Sequence, residues 1–364
     1  MKRKYFWITV SALVAAAVII KLYSANPGRV ETGYSISFYP AISSFFRLLF
    51  GWLPFSFGDI LFGVAGLWLL WKLIQGIKAL VKRRITKDSF FKGLGKAVVI
   101  ILTINVVFNL FWGINYNRQG IAKQLDLKMD TVSYADLKEV TTLLIKKLNA
   151  SKTYLLNNKI AYPSNAVLFK KVEMAYAKAK QQFSFLNYNN VSIKPSMWGW
   201  LGNYTGFTGY YNPFTGEAQV NTTVPEFLQP FVACHEVGHQ LGYAKEEEAN
   251  SVGYLAALNS GDSLLLYSTY FDLYTYTNRQ LRFQFYLHKD SVLAKQFTSM
   301  LLPEVKADIK EVADFFRRHR NPIEPFVRKG YGFYLKNNNQ PKGVLSYDEV
   351  TGFLIAYYKK FGKI

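Results

Sequence analysis

With 364 residues the chain can hold one large domain or two ordinary ones, and it is 50 % apolar and 17 % aromatic, rich for a soluble enzyme and ordinary for one carrying membrane helices. Its 44 Lys and Arg against 24 Asp and Glu leave a formal charge of +20, but much of it sits beside apolar runs and no base-reading module accompanies it, which argues against nucleic acid as a partner. The single cysteine, Cys234, excludes an internal disulfide.

Three apolar segments come first. Residues 5–22 follow Met1-Lys2-Arg3-Lys4 and lack a small-x-small cleavage site, so they read as a retained membrane helix rather than a signal peptide. Further spans are expected over 59–77 and 97–114. In the third, Asn105 and Asn109 share one face, expected to turn toward another helix. The link 78–96 is strongly basic, whereas the link 23–58 holds only Arg29 and Arg47. By the positive-inside rule the N-terminus and 78–96 are cytoplasmic, and everything after about residue 117 lies outside. The expected organisation is a membrane module, 1–116, in a lipid bilayer, followed by an extracytoplasmic domain, 117–364. In the outer loop, Pro40 and Pro54 break regular structure, and Asp59 is expected to cap the second span, with a contact to the outer domain as the alternative.

In the outer domain, Ser133 and Asp136 open a helix with Leu137, Val140, Leu144 and Leu148 on one face, and 164–186 makes a second. Both look like packing elements. Residues 189–223 are rich in Gly, Thr and aromatics, which favours short strands and turns. Zinc peptidases commonly place an edge strand beside the metal helix, so Glu217 and Asn221 are candidate cleft residues, with a structural role in the sheet as the alternative.

A helix starting between Pro225 and Pro230 carries Cys234-His235-Glu236-Val237-Gly238-His239, and Gly242 is placed to end it. His-Glu-x-x-His sets two imidazoles one turn apart on a single face, a grip for zinc. Glu236 beside them is the candidate general base. Lys245 occupies the position where one large class of zinc peptidases has its third histidine, which disfavours that class. If a new helix begins near 246, Glu246 and Asn250 share a face, so Glu246 could complete the ligand set and Asn250 could orient a ligand imidazole. Glu247 and Glu248 point about 100° and about 200° away and remain alternative ligands. Tyr267, Tyr270, Tyr274 and Tyr276 could each supply a phenol, though packing is the simpler role for any of them. His288 and His319 read as local hydrogen-bonding groups, and helices are expected over 301–317 and 345–361.

His235-Glu-Val-Gly-His239, Glu246-Glu-Glu-Ala-Asn250 and Gly209-Tyr-Tyr-Asn-Pro-Phe-Thr-Gly-Glu217-Ala resemble domain-of-unknown-function family 3810, as do Leu53-Pro-Phe-Ser-Phe-Gly-Asp59, Trp112-Gly-Ile-Asn-Tyr116 and Ser346-Tyr347. The resemblance implies a membrane-anchored bacterial protein of the Bacteroidetes type, in the inner membrane. Glu246-x-x-Ala249-Asn250 also resembles the Glu-x-x-Ala-Asp element of membrane-associated gluzincin peptidases. That likeness implies Glu246 as third ligand and Asn250 as the counterpart of the carboxylate behind it. The fold expected is α+β and mainly helical: three N-terminal transmembrane helices, then a zincin-like domain. The expected function is zinc-dependent hydrolysis of a peptide or protein substrate, with a membrane-bound scaffold or binding protein keeping a structural or vestigial zinc site as the alternative.

Overall fold

The computed structural model describes residues 3–129, 132–341 and 349–364; Met1, Lys2 and the Ser346-Tyr347 pair lie outside the described residues. The chain enters as α1 (Arg3–Ser24), makes an outer-loop helix α2 (Phe38–Phe50), and then forms the long pair α3 (Phe57–Val81) and α4 (Lys87–Phe111). α1, α3 and α4 are long and apolar enough to cross a membrane. Both helices of the pair overrun the expected span at the basic end, and for α4 local capping explains it. The Thr86 and Ser89 side chains form a reciprocal capping box that starts α4 inside the basic link. At the other end, Ser56 rather than Asp59 caps α3, accepting from the Asp59 amide at 3.1 Å. On the asparagine face, Asn109 donates its amide to the Asn105 carbonyl one turn back at 2.9 Å.

Beyond the spans come α5 (Tyr134–Asn157) and α6 (Asn165–Gln182), then β1 (Ile193–Pro195), α7 (Gly199–Thr205), β2 (Gly209–Asn212) and β3 (Glu217–Val220). The helices α8 (Gln229–Gln240), α9 (Glu246–Ser260), α10 (Ser263–Leu287), α11 (Ser291–Ser299), α12 (Pro303–Arg318), α13 (Glu324–Asn337) and α14 (Glu349–Phe361) follow. The architecture is mainly helical with one small sheet. Its strand order is β1-β3-β2, with β3 parallel to β1 and antiparallel to β2, so β2 is an edge.

The periodic face of α5 is buried as its pattern requires, with Leu137, Val140, Leu144 and Leu148 meeting Val172 and Tyr176 of α6 and Val252 and Leu255 of α9 in one core. Each such aliphatic side chain contributes roughly 1.5–3 kcal/mol. A second, smaller cluster joins Val30, Tyr34 and Tyr39 of the outer loop to Trp112, Ile114 and Tyr116 after the third span, and to Ala244. The link between α1 and α3 is therefore folded onto the part of the chain that follows α4. Glu31 and Arg118, both buried, lock it there through a two-pronged ion pair at 2.6 and 3.1 Å.

Candidate metal centre

α8 starts with Pro230 in its first turn, where a missing amide costs nothing, and carries His235 and His239 near its end. Their rings project from one side of the helix and meet edge to face, with centroids 4.7 Å apart. Gly242, at φ +86°, reverses the chain so that α9 runs back along α8. Small residues make that approach close: a Cβ on Gly238 would lie 3.0 Å from the Ala249 carbonyl oxygen, and one on Gly253 3.2 Å from the His235 nitrogen. Glu246, in the first turn of α9, consequently brings Oε2 to 3.2 Å from His235 Nε2 and 3.6 Å from His239 Nε2. The three donor atoms lie within 4.8 Å of one another.

Both imidazoles are held from behind. His239 Nδ1 is 2.8 Å from the Tyr243 carbonyl, which can only accept, so that nitrogen carries the proton and Nε2 offers its lone pair inward. His235 Nδ1 stands 2.8 Å from Asn250 Oδ1, giving the same tautomer. Two nitrogen lone pairs and a carboxylate oxygen converging this closely repel unless a cation sits among them, and N, N, O is a donor set that suits zinc. The residues present therefore fit a divalent metal.

Glu236 is buried, and its Oε2 has no hydrogen-bond partner among the described residues. Burial pushes its carboxyl up to about 8, eased by His235 and reinforced by Glu246. A Cβ on Gly209, the first residue of β2, would fall 2.5 Å from Glu236 Oε1 and 2.8 Å from Val232 Cγ1. The edge strand can lie against the carboxylate only because that position has no side chain.

These groups open into a cleft of about 230 Å³. One wall is the edge strand, with Gly209, Tyr210 and Tyr211. Phe108, Trp112 and Tyr116, from the end of α4 and the turn after it, form a second wall, and Tyr331 and Tyr334 of α13 a third. The Tyr331 hydroxyl donates to Glu246 Oε1, and its ring stacks on Tyr334 at 6.0 Å. Tyr276 and Asp272 of α10 close the cleft beside Asn250.

The last turn of α8 leaves carbonyls without intrahelical partners, and residues from α2 and the turn after α4 supply donors for them. Trp112 Nε1 donates to the His239 carbonyl at 3.3 Å. The Gln240 carbonyl accepts from the Tyr39 hydroxyl at 3.0 Å, from the Ser43 hydroxyl at 3.1 Å and from the Arg47 guanidinium at 3.4 Å. A guanidinium there also complements the negative end of the helix dipole.

Other residues singled out in the sequence lie elsewhere. Glu247 and Glu248 are not in the metal cluster; the first turn of α9 points Glu248 toward Lys245, 3.7 Å away. Glu217 does not face the cleft: fully buried, it accepts from the Phe57 and Gly58 amides at 3.1 and 2.6 Å and so satisfies the start of α3. Asn221 is likewise outside the cleft, tying the Gly199 and Phe207 carbonyls and the Asn203 side chain into one turn. Asp59, beyond its place in the first turn of α3, accepts from the Met197 amide at 2.7 Å and from the Tyr210 hydroxyl. Tyr267, Tyr270 and Tyr274 are buried in the core, whereas Tyr276 lines the cleft. Cys234, within α8, is buried, His319 Nδ1 meets the Phe315 carbonyl at 2.8 Å, and His288 stacks on Tyr134. Sequence reasoning missed Tyr331 and Tyr334. The available signal was weak, an i, i+3 aromatic pair after Glu324-Pro325, itself a helix start.

No curated protein and no solved structure is detectably similar to the chain. Residues 34–355, which take in most of the link between α1 and α3, two of the apolar helices, the metal cluster and most of the helical domain, match the family described as "Protein of unknown function (DUF3810)", and the chain belongs to that family.

Proposed function

We propose that the protein is a membrane-anchored, zinc-dependent hydrolase that cleaves peptide bonds. The observation that carries this reading is the meeting, in one cleft, of the His235, His239 and Glu246 donors, the Glu236 carboxylate, whose Oε2 has no partner among the described residues, and the edge strand β2. Zinc bound by the three donors would act as a Lewis acid on the scissile carbonyl and would acidify water. Asn250 and the Tyr243 carbonyl keep both imidazoles oriented with Nε2 toward the cleft. Glu236 takes a proton from the attacking water and delivers it to the leaving amine. The outer edge of β2 offers amides and carbonyls to an extended substrate, which would lie as a further strand past Glu236. Among the phenols that line the cleft, Tyr276 or Tyr331 would turn its hydroxyl to the oxyanion that forms at the carbonyl.

Structural zinc sites are closed by four protein ligands, and three donors facing a cleft fit catalysis better. The basic 78–96 link supports a cytoplasmic N-terminus and an extracytoplasmic catalytic domain, in the inner membrane of a bacterium. The test is made on the full chain in detergent, supplied with zinc and incubated with a mixed peptide library read by mass spectrometry. Glu236→Gln should keep zinc and lose cleavage, and His235→Ala should lose both. Cleavage by Glu236→Gln at the parental rate would make the mechanism wrong.

A further inference from the structure

We propose that the substrate is a polypeptide tethered to the same bilayer and cut close to its surface; this rests on the hydrolase reading above. The depth of the cleft carries it. The third helix stays apolar to its end: no charged residue falls between Ala97 and Phe111, so this run meets the edge of the hydrocarbon layer at about Trp112. Trp112 is then at the layer's boundary, and its indole lies 5.9 Å from the His239 ring. Phe108, one turn further into the span, is itself a wall of the cleft.

The surface around the cleft agrees. α2 buries Tyr39, Ser43 and Arg47 against the domain and turns Phe45, Leu48 and Leu49 outward, with Trp52 just beyond it 76 % exposed. An amphipathic helix whose ends join two spans, with its apolar side unpartnered, lies in the interface plane. Trp198 packs on Gly63, where a Cβ would come within 2.9 Å of the indole, roughly 9 Å inside α3. Next to it, Met197, Trp200 and Leu201 are exposed. On the far side of the cleft, Tyr334 of α13 meets Phe108 at 6.3 Å, and Phe333 beside it is 71 % exposed. These apolar faces continue the surface of the spans, so lipid is their occupant. The cleft that they flank opens at headgroup level. An extended chain covers about 3.3 Å per residue, so a segment leaving its own membrane anchor reaches Glu236 within a few residues, whereas a soluble peptide must enter the interface first.

The experiment reconstitutes the full chain in vesicles with a randomised peptide segment displayed on the outer-domain side. The segment is carried on a single-span anchor behind a spacer of about 4 or about 40 residues, or supplied as free peptide. Both anchored forms share the confinement to the vesicle, so their ratio isolates height above the bilayer. The expected result is Glu236-dependent cleavage at least about tenfold faster with the short spacer than with the long one or the free peptide. Equal rates with all three would overturn the tethered-substrate proposal and leave the hydrolase reading standing. No Glu236-dependent cleavage in any format would remove the hydrolase reading and this proposal with it.

Discussion

Asn250→Ala isolates the contribution of one hydrogen bond to the metal centre. The Asn250 side chain is buried, and its Oδ1 lies 2.8 Å from His235 Nδ1. Alanine at this position leaves the imidazole N–H without an acceptor and frees the ring to rotate about its last torsion. Removing a partner of this kind weakens metal binding by roughly 10–100-fold, or about 1.4–2.7 kcal/mol. The loss is bounded because the second imidazole is held by a backbone carbonyl, at Tyr243, that the substitution leaves in place. Asn250→Asp keeps the acceptor and adds charge, so it should bind at least as tightly as the parent. The assay is zinc competition with a chromogenic chelator on the purified full chain, with thermal unfolding run alongside to separate loss of the site from loss of the fold. An Asn250→Ala affinity within about twofold of the parent would refute the orienting role.

Three further predictions test neighbouring steps. Glu246→Gln should abolish stoichiometric zinc binding while Glu247→Gln retains it, measured by elemental mass spectrometry; the reverse pattern would move the third ligand to Glu247. Gly209→Ala forces Glu236 Oε1 away from a Cβ only 2.5 Å off, so zinc should stay bound while Glu236-dependent turnover falls by roughly 10²-fold; unchanged turnover would show that the carboxylate position is not critical. Glu31→Leu strands the buried Arg118 guanidinium and should cost about 3–5 kcal/mol in unfolding, much of it recovered in a double variant with Arg118→Met; a Glu31→Leu protein as stable as the parent would contradict the ion-pair role.

What the sequence made legible is what lies within one or two turns of itself. His235 and His239 share a face because four residues make about one helical turn, and Glu246 shares one with Asn250 for the same reason. The apolar runs were long enough to announce α3 and α4, though not their ends, because Ser56 and Thr86 set those by capping. The missed features join distant parts of the chain. Tyr331 reaches Glu246 across 85 positions and Tyr39 reaches Gln240 across 201, with no periodicity to connect either pair. Glu217 shows another limit: an isolated carboxylate in a strand reads alike whether it faces a cleft or the amides of a helix start. The free amides of Phe57 and Gly58 decided between the two. α7 was hidden inside a glycine-rich stretch, and Gly206, at φ +84°, ends it as a C-terminal cap.

The sequence suggests an outer domain beginning near residue 117, and a soluble fragment 117–364 would be the natural material for biochemistry. The packing predicts that this fragment does not hold the site. Of the seven buried members of the smaller cluster, Val30, Tyr34, Tyr39, Trp112, Ile114 and Tyr116 precede residue 117, and only Ala244 follows it. At roughly 1.5–3 kcal/mol for each large side chain, their loss is comparable with the 5–15 kcal/mol that holds an ordinary domain folded. The fragment also lacks Tyr39, Ser43, Arg47 and Trp112, which together cap the last turn of the helix carrying both histidines, and Glu31, the partner of Arg118. Water can replace the lost hydrogen bonds but not their geometry, so the turn at Gly242 that positions Glu246 loses the Tyr39 ring packed against it. The expected result is a fragment without a cooperative thermal transition and with zinc affinity far below that of the full chain. A 117–364 fragment that unfolded cooperatively and bound one zinc as tightly as the full chain would show that the membrane module serves only as an anchor.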